Sequence, residues 1–185
     1  MRTFIAIELP RSLQEEISRI TGELRSYFPG VRWSNPENIH LTLRFLGEID
    51  PAQLDLLKKA VDEAVSSVSG FLLNVENIGF FGSKSNPRVI WLGLNDSSEL
   101  STLAGKVEKS VDEAGFGKAD KPFRPHLTLA RVRRKLDRPP DWEAIHKILP
   151  ASWPGWPVSE VLIIKSTLTS SGPIYETLAR CPLQA

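Results

Sequence analysis

The chain has 185 residues and a formal net charge of +1, a size that fits one domain or two small lobes sharing a core. Hydrophobic residues make up 41% and charged residues 24%, as in an ordinary globular protein, which excludes wholesale disorder. The single cysteine, Cys181, cannot form an internal disulfide. No apolar run reaches the length of a secretory leader or a membrane span, so we expect a cytoplasmic protein without a membrane segment.

Strand and helix patterns alternate through the first half of the chain. After an opening strand, apolar residues recur with helical spacing, and Ser12 is the expected N-cap of that helix, with Glu15 completing a capping box. Asp50-Pro51 opens a second helix and Gly70 ends it. The predicted elements are a strand at residues 2–8, a helix at 10–27, a strand at 39–45, a helix between 50 and 70, and a strand with an irregular extension at 71–75 and 78–81.

The second half of the chain follows a similar order. A strongly apolar strand precedes a helix that begins at Ser97 or Ser98 and ends at Gly115. The predicted elements are a strand at residues 89–94, this helix, a strand at 126–132, a short helix at 142–149, and a hairpin with strands at 161–168 and 175–181.

A repeated unit underlies this order. The tetrapeptide His-Leu-Thr-Leu begins at His40 and again at His126, each time after a strand, a helix and a loop. Two such units predict two pseudo-symmetric lobes, each with a mainly antiparallel sheet flanked by helices, in the α+β class. We expect a single bilobal domain over residues 1–185, with an internal repeat of about 1–86 and 87–185.

The duplicated tetrapeptide carries the candidate catalytic groups. Alternate side chains of a strand point to opposite faces, so the histidine and threonine of each motif share one face while the leucines anchor the other in the core. His40 and His126 can each exchange a proton near neutral pH, so one can take a proton from water while the other protonates the departing oxygen. The hydroxyls of Thr42 and Thr128 can hydrogen-bond phosphate oxygens.

Two arginines are candidates to neutralise charge on a bound phosphate. Arg131 follows His126 by five residues, and strict alternation places it on the leucine face. It can reach the histidines only past the regular part of the strand, after a bulge, or from an edge. Arg44 follows His40 by four residues and has the matching parity. We predict Arg131 at the phosphate and keep Arg44 as the alternative.

Other chemistries and contacts have weaker support in the sequence. Neither motif has a matching carboxylate, and the chain has no His-Glu-x-x-His and no Cys-x-x-Cys, so we expect no metal and no cofactor. It also lacks the Gly-x-Ser-x-Gly of a serine hydrolase. His146 is expected to have a packing or surface role, whereas Phe45, just after the first motif, is the candidate contact for a base. The basic stretch 118–138 is either a solvated loop or a field that attracts a phosphate-bearing ligand.

These features resemble the two-histidine phosphoesterase superfamily, and more closely its bacterial and archaeal RNA 2′,3′-cyclic phosphodiesterases, historically called 2′-5′ RNA ligases. The resemblance extends over nearly the whole chain, and no motif position departs from the family pattern. The matching stretches are residues 2–9, 31–47 (VRWSNPENIHLTLRFLG), 87–93 (PRVIWLG) and 123–131 (FRPHLTLAR).

The resemblance implies a bilobal fold whose two motifs line a central active-site cleft. It implies hydrolysis of an RNA 2′,3′-cyclic phosphate to a 2′-phosphate without metal or ATP. By similarity, His40 donates a proton to the leaving 3′ oxygen and His126 activates water, while Thr42, Thr128 and Arg131 hold the phosphate. The residues alone leave the acid and the base interchangeable.

The expected partner is an RNA or oligonucleotide with a 2′,3′-cyclic phosphate end, and no obligate protein partner is evident. Two alternatives remain open. One is a 2′-5′ RNA ligase, or 2′-5′ linkage enzyme, in which an alcohol replaces water at the same site. The other is a non-catalytic RNA- or nucleotide-binding module that keeps the cleft.

Overall fold

The computed structural model describes residues 1–170 and 172–184. Within these residues the predicted elements occur in the predicted order, and the α+β class is confirmed. Short strands at Arg32–Trp33 and Trp156–Val158 are additional, and the strand with an extension predicted at 71–81 forms two separate strands. The strands are β1 (Arg2–Glu8), β2 (Arg32–Trp33), β3 (His40–Glu48), β4 (Phe71–Leu73), β5 (Val75–Ser83), β6 (Asn86–Leu94), β7 (His126–Arg131), β8 (Trp156–Val158), β9 (Glu160–Leu168) and β10 (Pro173–Pro182). The α-helices are α1 (Arg11–Leu24), α2 (Leu54–Val65), α3 (Ser98–Val111) and α4 (Trp142–Ile148).

One antiparallel sheet runs through both halves of the chain. Its strand order is β10-β9-β1-β3-β7-β6-β5, and β2 is attached to β7. Without β10, the order is symmetric about the junction of β3 and β7. β5 of the first repeat pairs with β6, the first strand of the second repeat, and β9 of the second repeat pairs with β1, the first strand of the first. Each lobe therefore contains strands from both halves of the sequence.

The helices cover one face of this sheet. Leu41 of β3 and Leu127 of β7 are fully buried in the same core as Leu13 of α1, Leu57 of α2 and Leu103 of α3. The leucine positions of both motifs thus anchor the strands to the helices, as alternation predicts. The histidine and threonine positions lie on the other face and are only partly buried.

Both motif strands contain a bulge at the second leucine of the tetrapeptide. In β3, Thr42 and Arg44 pair with consecutive residues of β1, so Leu43 has no partner in the ladder. In β7, Thr128 and Ala130 pair with consecutive residues of β6, so Leu129 has none. Each bulge reverses the alternation of the residues that follow, because one extra residue shifts the side-chain parity by one.

The expected N-cap role of Ser12 is wrong. The helix begins at Arg11 with Pro10 at the N-cap, and the Pro10 carbonyl already accepts hydrogen bonds from the amides of Leu13 and Gln14. Ser12 therefore lies inside the first turn. A capping box is present instead at Asp50, at the start of the short 3₁₀ turn that leads into α2.

Candidate active site

The two motif strands present their histidines and threonines to one cleft. Leu41 pairs with Leu127, and an antiparallel register around that pair brings each histidine beside the threonine of the other motif. The cleft has a volume of about 690 Å³, and its lining includes His40, Thr42, His126, Thr128 and Arg131. These are five of the six site residues predicted from the sequence.

Equivalent hydrogen bonds orient the two imidazoles. The Nδ1 atom of His40 lies 2.9 Å from the backbone oxygen of Asn38, and that of His126 lies 2.6 Å from the backbone oxygen of Arg124. A carbonyl oxygen only accepts, so each Nδ1 carries the hydrogen and donates it. The Nε2 atom is then the nitrogen left to accept a proton in the neutral ring, or to donate one in the charged ring.

Aromatic rings pack against both imidazoles. His40 stacks on Phe4 at a centroid distance of 4.6 Å and meets Tyr175 edge-on at 5.2 Å. His126 meets Phe81 edge-on at 5.0 Å. Burial lowers the pKa of His40, against a smaller opposing effect of its backbone hydrogen bond. The neutral ring is therefore favoured in the empty cleft, whereas a bound phosphate would favour the charged ring.

Arg131 reaches the cleft because of the bulge at Leu129. The extra residue moves Ala130 to the buried face and Arg131 to the exposed face that carries His126 and Thr128. The backbone of Arg131 is also paired with Arg32 of β2, which fixes the position of the strand end. A guanidinium placed here can contact a phosphate oxygen beside the two imidazoles.

Arg44 lies elsewhere, so the alternative candidate is not brought to the cleft. The bulge at Leu43 turns its side chain to the helix face, where it is 5% exposed and forms an ion pair with Glu108 of α3 at 3.1 Å. Its Nη2 also donates to the backbone oxygen of Gly117 at 2.7 Å. Strict alternation places Arg44 on the cleft face, but the bulge at Leu43 reverses the alternation before Arg44.

Phe45 occupies the position in the first repeat that Arg131 occupies in the second. Its side chain is 47% exposed, with the guanidinium of Arg2 over its ring at 4.7 Å and the Phe4 ring stacked at 6.5 Å. The structure does not place Phe45 among the residues that line the cleft. Its contact with a base stays a prediction.

Several residues of the site carried no signal in the sequence. Tyr175 and the neighbouring end of the β9–β10 hairpin line the cleft on the side of His40. Tyr175 is separated from His40 by 135 positions and belongs to no recognisable motif. Its location depends on the pairing of β9 with β1, which a single sequence does not fix.

The structure also bears on metal ligation and membrane insertion. Among residues 1–170 and 172–184, no three side chains of the His, Cys, Asp or Glu type come together as a metal site would require. In the same part of the chain, no helix has both the length and the apolar character needed to cross a bilayer.

A two-lobed α+β fold in which each half contributes a His-x-Thr pair to one cleft is the architecture of a two-histidine phosphoesterase. The chain belongs to the LigT-like phosphoesterase family, whose model matches residues 7–91 and, a second time, residues 92–175. The double match agrees with the internal repeat and covers most of the chain.

Curated relatives carry a more specific description. The RNA 2′,3′-cyclic phosphodiesterase of Archaeoglobus fulgidus is 35% identical over 96% of this chain and 98% of its own length. The protein of the same description from Thermotoga maritima is 33% identical over 100% of this chain and 96% of its own length.

Solved structures agree with the fold over its whole extent. A protein of Thermus thermophilus is 28% identical and superposes with a TM-score of 0.82, covering 100% of this chain and 98% of its own. Escherichia coli LigT complexed with 3′-AMP is 26% identical, with a TM-score of 0.76 and the same coverage.

Proposed function

We propose that this protein hydrolyses RNA 2′,3′-cyclic phosphate ends to 2′-phosphomonoesters by acid–base catalysis between two histidines, without a metal. The observation that carries the proposal is the meeting of His40 and His126, one from each repeat, in a single cleft together with both motif threonines. Curated relatives described as RNA 2′,3′-cyclic phosphodiesterases support the choice of substrate.

The reaction is an exchange of one oxygen for another at phosphorus. In our proposal, Nε2 of His126 takes a proton from water as the water oxygen bonds to phosphorus. The bond from phosphorus to the 3′ oxygen breaks, and Nε2 of His40 gives that oxygen its proton. The equivalent Nδ1 hydrogen bonds of the two rings support these roles, because they leave Nε2 as the exchanging atom in both.

The negatively charged phosphate also needs hydrogen-bond donors and a cation during this reaction. Thr42 and Thr128 are proposed to donate hydrogen bonds to non-bridging oxygens, and Arg131 to neutralise the charge that builds on them. The aromatic rings packed against the imidazoles lower the local polarity, which strengthens these interactions. We also propose that Phe45, which is 47% exposed, contacts a base of the substrate.

The proposal also includes the substrate, the domain organisation and the cellular location. The partner is an RNA or oligonucleotide with a 2′,3′-cyclic phosphate end, and residues 1–185 act as one bilobal domain. A cytoplasmic location is proposed because the single cysteine, Cys181, is free and buried, which suits a reducing compartment.

Turnover of an RNA oligonucleotide ending in a 2′,3′-cyclic phosphate tests the proposal, with and without EDTA. We expect a 2′-phosphate product, assigned by phosphorus NMR, and a rate that resists the chelator. His40→Ala and His126→Ala should each lower kcat by about 10²-fold or more, the scale of general acid–base catalysis. His146→Ala is the matched control and should keep full activity, because its ring bonds to Trp142 in α4 outside the cleft.

Two results would contradict the proposal. One is loss of activity in EDTA with recovery on adding a divalent ion, and the other is full activity in both single-histidine variants. A parallel assay on a nicked 2′-5′ linkage distinguishes the ligase alternative. Binding of RNA without turnover, unchanged in His126→Ala, would indicate a binding module instead.

A further inference from the structure

Most basic side chains of this protein fall into two groups with different surroundings. One group is ion-paired, mostly with carboxylates one helical turn away. It comprises Arg11, Arg19, Arg44, Lys58, Lys59, Lys109, Lys147, Lys165 and Arg180. Their charges are locally balanced.

The second group lies in the stretch 118–138 that surrounds β7. Within residues 1–170 and 172–184, none of these side chains forms an ion pair. The group comprises Lys118, Lys121, Arg124, Arg131, Arg133, Arg134, Lys135 and Arg138. All eight residues are exposed, and the stretch contains only two acidic residues, Asp120 and Asp137. The positive charge of this region is therefore uncompensated within the protein.

Part of this charge is continuous with the catalytic cleft. Arg131 and Arg133 both line the cleft, and Val132 between them is buried, so the two arginines share one face of an extended chain. The amide of Val132 donates to the backbone oxygen of Arg88 at 2.9 Å, which holds this segment against β6. Arg134, Lys135 and Arg138 follow in the chain and are exposed; we call residues 133–138 the basic exit segment.

The other unpaired charges do not share this continuity. Lys118, Lys121 and Arg124 precede β7, at the end of the strand away from Arg131, and none of the three lines the cleft. The protein thus provides two exposed basic regions of similar composition, and only one of them contains residues that line the cleft.

We propose that the basic exit segment binds the phosphates of the RNA strand on the 5′ side of the terminal nucleotide. This inference rests on the proposed function, and it defines the preferred substrate as a single-stranded oligonucleotide rather than a mononucleotide. The terminal cyclic phosphate lies at Arg131 between the histidines, and the chain leaves past Arg133. Unpaired exposed cations suit this role because binding a polyanion releases its condensed counterions without breaking ion pairs in the protein.

A comparison of two double variants tests the proposal. R134A/K135A removes two unpaired charges from the basic exit segment, and K118A/K121A removes two from the region outside the cleft. Each is assayed on a mononucleoside 2′,3′-cyclic phosphate and on a ten-nucleotide RNA with the same terminal nucleotide. The same RNA carrying a fluorophore and a non-reactive 3′-phosphate gives a binding constant by anisotropy, which does not depend on turnover.

We expect R134A/K135A to lower kcat/KM on the RNA about tenfold and to leave the mononucleotide unchanged. Its log–log salt dependence of RNA binding should become shallower by about 1.4, since each phosphate contact on a single strand contributes about 0.7. K118A/K121A should change both quantities much less.

Equal losses in the two double variants, or a wild-type protein that binds and turns over the mononucleotide as well as the RNA, would overturn the proposal. A protein that binds the RNA through the basic exit segment but hydrolyses neither substrate would instead contradict the proposed function. The anisotropy measurement separates these two failures.

Discussion

Leu41 of β3 lies directly opposite Leu127 of β7 at the centre of the sheet, and both side chains are fully buried. Within residues 1–170 and 172–184, this is the single ladder position that joins the two motif strands. The spacing of the two histidines therefore depends on how this leucine pair packs against the helices.

Leu127→Ala tests that dependence. Removing a fully buried leucine should lower the free energy of unfolding by about 2–5 kcal/mol, measured by urea denaturation. We also expect kcat to fall under conditions in which the variant stays folded, because the motif strands lose their alignment. Leu103→Ala in α3, equally buried, is the control and should destabilise the fold while leaving kcat nearly unchanged. Equal effects of the two variants on kcat would contradict this role.

The acid and the base can be told apart by changing the leaving group. A substrate with sulfur in place of the bridging 3′ oxygen releases a thiolate, which needs little help from a general acid. If His40 is the acid, His40→Ala should recover most of the wild-type rate on this substrate, whereas His126→Ala should stay slow. The opposite pattern would exchange the two roles.

Arg131 and Arg44 should differ in the kind of defect that their loss produces. Arg131→Ala should lower kcat/KM by about 10²–10³-fold, as expected for one donor to transition-state charge, with little change in unfolding. Arg44→Ala should mainly lower stability, by about 1–3 kcal/mol, since it removes a charged hydrogen bond to Gly117 and the ion pair with Glu108. Activity assays and urea denaturation on the same preparations check both. A larger loss of kcat in Arg44→Ala than in Arg131→Ala would contradict the assignment.

The pKa of His40 should respond to the packing of Tyr175. Burial lowers this pKa, so Tyr175→Ala should raise it toward the ordinary value of about 6.5, measured by NMR titration of the imidazole. Thr177→Ala, an exposed residue of the same strand that does not line the cleft, is the control and should leave the value unchanged. A shift of equal size in both variants would point to a general change in the hairpin.

The same depressed pKa affects stability in acid. Above pH about 6.5, His40 is largely neutral in both the folded and the unfolded chain and contributes no pH dependence. Below it, the unfolded chain binds a proton that the folded chain does not, so the free energy of unfolding falls until the pH passes the folded pKa. His40→Gln should remove this part of the acid destabilisation, as seen in urea denaturation at pH 7.5 and 5.5.

The sequence predicted the elements and the motif faces well because both depend on local periodicity. The leucines of each tetrapeptide are buried and the histidines face the cleft, as simple alternation requires. Alternation failed for Arg131 and Arg44 because it assumes an unbroken ladder. A bulge depends on how a strand pairs with its neighbour, and the sequence of one strand alone does not determine that pairing.

The positions of strands distant in sequence from the two motifs also could not be predicted. Tyr175 of β10 and Phe81 of β5 pack against the histidines. The local sequence of these two strands does not predict where they lie in the sheet. The sequence repeat suggested lobes that coincide with the two halves of the chain. In the structure the first half instead contributes β5 to the second lobe, and the second half contributes β9 and β10 to the first. Such pairing between distant segments leaves no periodic pattern in either segment.

The exchange of β5 and β9 between the halves affects how the protein can fold during translation. When translation has reached residue 86, β1 still lacks the neighbour on its outer side, because β9 is encoded some seventy residues later. The first 86 residues therefore lack a strand that their sheet needs in order to fold on their own. Tyr175, which packs against His40, is synthesised later still. Assembly of a working centre must therefore wait for nearly the entire polypeptide to emerge.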